Sequence, residues 1–251
     1  MTERTIAVIP ARYGSTRFPG KPLALIGGKP MIQWCYESVR NCPLFAEVLV
    51  ATDDERIRSA VANFGGQAVM TASTHSTGTD RIAEAITGRD ADLIVNVQGD
   101  EPLMSAAVLE RLVGRMRETG ADMGTAAVPF AKTDRDPADP NAVKVVLDGR
   151  GFALYFSRSL IPFPRPGGAA VEPLLHWGLY AYRRDFLDQF VTWKRGVLEG
   201  CEMLEQLRAL EHGARILVIE TAESSAGVDV PADILLIEKQ LRQRDRLVND
   251  R

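Results

Sequence analysis

What most limits the fold of this chain is an alternation in its first half. Continuous apolar runs alternate there with stretches of helical period. "TIAVIPA" (5–11), "EVLVATD" (47–53), "QAVMT" (67–71) and "DLIVNVQGD" (92–100) are rich in Val, Ile and Ala and do not alternate apolar with polar. Strands of that kind are covered on both faces. Between them, "PMIQWCYESVRNC", "DERIRSAVANFG", "DRIAEAITG" and "AAVLERLVGRMRETG" read as helices, with Pro30 tolerated at a helix start and Gly65 and Gly66 as a stop. The βαβα order predicts an α/β fold with a doubly wound, mostly parallel sheet and right-handed crossovers.

Past residue 120 the pattern changes. "DMGTAAVPFA" reads as a strand. "AVKVVLDGRGFALYFS" reads as two strands around the turn "DGRG". "WGLYAYR" and "RILVIET" read as strands, "EMLEQLRALEHG" and "PADILLIEKQLRQRD" as helices. The hairpin breaks the βαβα order. The reading is therefore a single domain over 1–251, with residues 133–185 as an insertion that elaborates the sheet.

Composition excludes several classes. With 251 residues, 45% of them hydrophobic, the chain can bury a core without disulfide or metal staples. A net charge of -3 argues against a nucleic-acid or polybasic membrane role. Cys35, Cys42 and Cys201 show no CxxC spacing and read as packing thiols of a reducing compartment. "MTER" leads directly into a strand, and no apolar run approaches the ~18 residues of a membrane span. The expectation is a soluble, cytoplasmic protein.

Two stretches carry chemistry. "IPARYGSTRFPGKPL" (9–23) follows the first strand and holds Arg12, Arg17 and Lys21 among glycines and prolines. Ligands of open parallel sheets bind beyond the strand C-termini. Glycines there admit close backbone approach, and the cations suit a polyphosphate. Neither GxxxxGK[ST] nor GxGxxG is present, which counts against a P-loop and against a dinucleotide-dependent oxidoreductase, although Asp53 ends the second strand as the latter requires. The second stretch, "IVNVQGDEP" (94–102), ends an apolar strand in Gln98, Gly99, Asp100 and Glu101, and "GVDVP" (227–231) repeats its glycine, aspartate, proline logic. Asp100 and Asp229 suit one hard divalent cation. Each also suits an ordinary helix cap or turn.

Taken in order, "IPARYGSTRFPGKPL", "HSTGTDR", "VNVQGDEP", "NAVKVV", "YFSR", "HWGLYAY", "EMLEQLR" and "GVDVP" resemble the CMP-Kdo synthetases, the 3-deoxy-manno-octulosonate cytidylyltransferases, over nearly the whole chain. The resemblance implies a Mg²⁺-dependent transfer of CMP from CTP to the anomeric hydroxyl of Kdo, which activates that sugar for lipopolysaccharide synthesis. It implies that Ala11, Arg12, Ser15 and Lys21 bind the nucleotide, Arg12 and Lys21 through its phosphates, with Arg17 a weaker candidate. Ser73, Gly78 and Gln98 would lie at the nucleoside, and Asp100 and Asp229 would ligate Mg²⁺. Gln98, Arg158, His176, Tyr180, Glu205 and Gln206 would line the sugar pocket. Arg12, Lys21, Asp100 and Asp229 would be the catalytic set. It also implies a homodimer, with residues 133–185 contributing to the sugar pocket and the dimer interface. No nucleic acid and no membrane insertion are expected.

Ala72, Thr74 and Gly14 depart from the family's usual larger polar or basic residue, Asp and Ala. The first change puts a base contact from side chain 72 in doubt. A cytidylyltransferase for a related acidic sugar, amino-substituted or sialic-type, remains an alternative. So does a non-catalytic nucleotide-binding regulator, against which the retained Asp100 and Asp229 argue.

Overall fold

The computed structural model describes residues 3–14, 18–223 and 227–249, and these fall into two compact units. The described residues of the first unit come from 3–91, 96–106 and 227–249; those of the second come from 92–95 and 107–223. The architecture is mixed α/β with a mostly parallel central sheet, as the apolar runs required.

In the first unit, β1 (Thr5–Ala11) pairs in parallel with β4 (Phe45–Thr52), and β4 with β5 (Gln67–Met70). A small ladder of β2 (Leu25–Ile26) and β3 (Lys29–Pro30) lies between β1 and β4 in sequence and leads into α1 (Met31–Arg40). Met31, Ile32, Cys35, Tyr36 and Val39 of α1 are buried, the stripe expected of a helix lying on a sheet. The second crossover, α2 (Glu55–Asn63), starts where the Asp54 side chain accepts from the Arg56 amide. At α3 (Gly78–Ala85), Thr77 and Asp80 form a reciprocal capping box. β6 (Leu93–Asn96) crosses the unit boundary at its last residue.

The second unit holds α4 (Ala106–Thr119) apart from its first residue, then β7 (Met123–Pro129), β8 (Lys144–Leu147), β9 (Ala153–Ser157), β10 (Leu174–Arg183), α5 (Arg184–Phe190), α6 (Val197–Glu202), α7 (Gln206–Glu211) and β11 (Ile216–Glu220). β10 runs antiparallel to β7 and β8, β8 antiparallel to β9, and β11 parallel to β7. The "DGRG" turn forms as read: Asp148 Oδ1 accepts from the amides of Arg150 and Phe152, and Gly151 takes φ +84. Residues 133–185 carry β8, β9 and β10. The chain returns to the first unit in α8 (Asp233–Asn249).

One helix differs from the reading. "EMLEQLRALEHG" is not continuous: α6 stops at Glu202, and α7 begins at Gln206. Met203 takes a left-handed conformation, φ 54, and donates its amide back to Glu199 O, which caps α6. The Glu202 carboxylate is drawn off the helix to accept from Ser157 Oγ and the Arg158 amide. The break puts Glu205 and Gln206 at the start of a helix rather than in the middle of one. Cys201 is exposed, whereas Cys35 and Cys42 are buried. Among the described residues no helix is long and apolar enough to cross a membrane.

Candidate active site

The C-terminal end of β1 opens into a cleft of about 300 Å³ in the first unit. Pro10, Ala11 and Arg12 form one side. Lys21 and Pro22 come from the short 3-10 turn that follows the opening loop. His75, Ser76, Thr77, Gly78 and Arg81 come from the segment entering α3, and Gln98, Gly99 and Asp100 from the turn after β6; Asp229 completes the wall.

The packing explains why these stretches converge. The Val97 amide donates to Val8 O, which lays the segment after β6 along β1. A Cβ at Gly99 would stand 2.8 Å from the Pro10 carbonyl oxygen, so only glycine lets the 98–100 turn press on the end of β1. The Cys35 thiol donates to Gly99 O from beneath, and burial pushes its pKa well above the ordinary thiol value. Gly20, at φ +72, returns its amide to Tyr13 O and so draws Lys21 back toward β1.

Lys21 Nζ donates to Asp100 Oδ2 at 2.6 Å and to Val228 O at 2.9 Å. The Val228 amide in turn donates to Asp100 O. Both amides that follow, Asp229 and Val230, donate to Asp233 Oδ2. Asp229 itself is exposed. A side chain read as a phosphate ligand thus sits on the carboxylate read as a metal ligand.

The cleft brings together Ala11, Arg12, Lys21, Gly78, Gln98, Asp100 and Asp229. Ser73 is exposed and does not line it, and Ser15 and Arg17 lie outside the described residues. His75, Ser76, Thr77 and Arg81 lie in the motif "HSTGTDR", but the sequence singles out none of them individually. The Thr77-x-x-Asp80 spacing was the available signal, since a capping box marks a helix N-terminus whose free amides favour anions. Arg81 is buried and donates to Thr71 Oγ1 and Asp53 Oδ2, so the acid ending β4 serves this guanidinium. Ala72 contributes its backbone amide to Glu84, which also bonds His75.

The residues read as sugar ligands lie in the second unit. Arg158 is tied down by Nε to Glu202 O at 2.7 Å and by Nη1 to Pro140 O at 3.0 Å. The fully buried Lys144 donates to the carbonyls of Asp139 and Arg158, and burial lowers its pKa. The His176 and Tyr180 rings lie 5.4 Å apart on β10, and His176 meets Phe156 edge-on at 5.0 Å. Burial holds His176 down to about 3 and raises the Tyr180 phenol well above its usual value. Gln206 is buried and Glu205 half-buried, with Glu205 Oε1 3.5 Å from Arg208. Arg208 forms a two-bond pair with Glu199, both at 2.7 Å.

The chain matches the cytidylyltransferase family model over residues 6–216. It is 49% identical to the 3-deoxy-manno-octulosonate cytidylyltransferase of Myxococcus xanthus, over 96% of this chain and 98% of that one. It is 51% identical to the protein of the same name from Syntrophotalea carbinolica, over 94% and 98%. It superposes with a TM-score of 0.90 on a solved structure described as CMP:2-keto-3-deoxy-manno-octonic acid synthetase complexed with CTP, at 43% identity over 96% of this chain and 99% of that one. A 4-diphosphocytidyl-2C-methyl-D-erythritol synthase from Anaerococcus prevotii, at 12% identity and a TM-score of 0.63, shares the fold. On these matches the chain belongs to the 3-deoxy-manno-octulosonate cytidylyltransferase family.

Proposed function

We propose that the chain transfers CMP from CTP to the anomeric hydroxyl of Kdo, giving CMP-Kdo and pyrophosphate and activating the sugar for lipopolysaccharide synthesis. The observation that carries the reading is the cleft at the end of β1, where the cations of the opening loop face two aspartates from distant turns.

The sugar oxygen forms a bond to the α-phosphorus, the α–β anhydride bond breaks to release pyrophosphate, and the hydroxyl proton passes to solvent. No protein nucleophile enters. Arg12 and Lys21 receive the triphosphate and offset the charge that grows on the departing pyrophosphate. The amides opening α3 and the Gln98–Gly99 turn hold the nucleoside end. Arg158, His176, Tyr180, Glu205 and Gln206 hold the sugar's carboxylate and hydroxyls.

Asp100 and Asp229 supply hard oxygen donors, and Lys21 already places a cation on Asp100. That donor set fits Mg²⁺, which needs only one or two carboxylates beside phosphate oxygens. Asp100 and Asp229 would hold it. Such an ion, when bound, supplies charge neutralisation at the phosphate and lowers the pKa of a coordinated hydroxyl.

We place the reaction in the cytoplasm, where nucleoside triphosphates are kept. Residues 133–185 are assigned to the sugar pocket and to a two-fold interface. The exposed Leu154 of β9 is one apolar residue that a second copy would cover. Light scattering should give about twice the 27.5 kDa chain mass at micromolar concentration, and a monomer would contradict the dimer.

The test of function is pyrophosphate release with each of the four nucleoside triphosphates, with and without Kdo. Release that requires both CTP and Kdo supports the reading. Release with CTP and an amino-substituted or sialic-type sugar, but not with Kdo, would move the substrate assignment.

A further inference from the structure

β10 contains an irregularity at the histidine read as a sugar ligand. Trp177 pairs with Ala126 on β7, yet the next pair along is Tyr180 with Thr125. Two residues of β10, Gly178 and Leu179, are therefore passed over while β7 advances by one, and the ladder bulges. Bulges bend a strand and re-aim its side chains.

Thr125 fills the bulge. Its hydroxyl is fully buried and lies 2.7 Å from Leu179 O, 3.1 Å from Trp177 O and 3.0 Å from His176 Nε2. A hydroxyl has one hydrogen to give and two lone pairs to accept with. The two carbonyl oxygens can only accept, so the Thr125 hydrogen goes to the bulge backbone. The contact with His176 is then satisfied only if Nε2 carries the hydrogen and donates to Oγ1. A neutral imidazole has one N–H, which leaves Nδ1 a bare acceptor. Burial among Phe156, Tyr180 and β7 keeps the ring neutral over the working pH range. The His176 backbone amide is engaged elsewhere, with Val143 O.

We infer that Thr125 is a positioning residue for the sugar half: it locks His176 in the Nε2–H tautomer, so that Nδ1 accepts a hydrogen bond from a hydroxyl of the acidic sugar. The inference rests on the reading of His176 as a sugar ligand. A site built with an acceptor at that point selects a sugar that carries a hydroxyl there and disfavours one that carries a hydrogen.

The test separates the two claims. Nitrogen-15 spectra of the labelled enzyme without substrate report the tautomer, with His176 assigned among the three histidines by a His176→Gln sample. Thr125→Val keeps the shape of the side chain but cannot accept. Thr125→Ser keeps the hydroxyl and guards against a fold effect in the valine variant. Expected are an Nε2–H imidazole in the parent and in Thr125→Ser, and loss of that single tautomer in Thr125→Val. Expected kinetics are a KM for Kdo raised about tenfold or more in Thr125→Val, the KM for CTP unchanged, and recovery in Thr125→Ser. An Nδ1–H tautomer in the parent, or a valine variant with the parent's spectrum, overturns the role of Thr125. A changed tautomer with an unchanged KM for Kdo in Thr125→Val and in His176→Gln leaves the tautomer lock standing and overturns the assignment of His176 to the sugar. If Thr125→Val and Thr125→Ser raise both KM values alike, the bulge is structural and the inference fails.

Discussion

Lys21 and Asp100, 79 positions apart, share a hydrogen bond of 2.6 Å in which the loop's ammonium neutralises the turn's carboxylate. The pair is half-exposed, so its contribution to stability is small, about 0–1 kcal/mol. On the proposed function its weight would fall on the reaction. Lys21→Ala should raise the KM for CTP by ~10–100-fold, the usual size of a lost hydrogen bond to charge, about 1.5–3 kcal/mol. Asp100→Asn and Asp229→Asn should lower kcat by at least ~100-fold, since neither amide holds a divalent cation as a carboxylate does. Thermal midpoints should stay within a few degrees of the parent. Parent-like turnover in either asparagine variant rejects the metal assignment.

Gly99 should tolerate no side chain. The added carbon of Gly99→Ala would meet the Pro10 carbonyl at 2.8 Å, and neither partner is a flexible side-chain end. The turn must move away from β1 and carry Gln98 and Asp100 with it. We expect destabilisation of about 1–3 kcal/mol together with a loss of turnover larger than the stability change explains. Gly14→Ala, where nothing lies within 4 Å, serves as the control. Equal and small effects at both positions would show that the turn is not wedged.

Arg158 should behave differently from Glu205. Two of the Arg158 nitrogens are committed to the carbonyls of Glu202 and Pro140. Arg158→Ala should therefore lower the unfolding midpoint as well as raise the KM for Kdo, whereas Glu205→Gln should act on the KM for Kdo with little change in midpoint. Denaturation curves beside steady-state kinetics check this. A stability loss in Arg158→Ala without any sugar effect would make that arginine purely structural.

The strands, the crossover helices, the hairpin turn and the residues at the end of β1 were legible because each rests on a local rule: apolar runs, a capping residue, a turn glycine. The meeting of Lys21 with Asp100 and of Glu202 with Ser157 was not, because those pairings depend on packing between segments far apart in sequence. The break at Met203 escaped for the same reason, since the period of leucines continues through it while the backbone does not. Thr77 and Arg81 sat in a motif already singled out, but only the folded α3 shows which of its residues turn toward the cleft.

His176 should make stability depend on pH. Burial holds its folded pKa near about 3, below the usual 6.5. The unfolded chain then binds a proton that the folded chain refuses. The stability tied to this group is whole above about pH 6.5 and is lost progressively as pH falls toward 3. Urea unfolding at pH 7 and pH 5 should show a larger drop for the parent than for His176→Gln, on the order of 1 kcal/mol. Identical drops would mean that the ring is solvated and titrates freely.

The burial of Arg81 beside Thr71 and Asp53 separates the cleft's cations into two kinds. Arg12 is exposed, so on the proposed function an arriving anion would also have to still its side chain, at about 0.5–1.5 kcal/mol of lost rotamer freedom. Arg81 has surrendered that freedom already, in folding. Its Nη1 and Nη2 are already held by Thr71 and Asp53, so on the proposed function geometry at this wall is set before any ligand arrives, while at Arg12 it would be settled on arrival. On the proposed function, tightness of fit and adaptability would thereby fall to different residues of one small cleft.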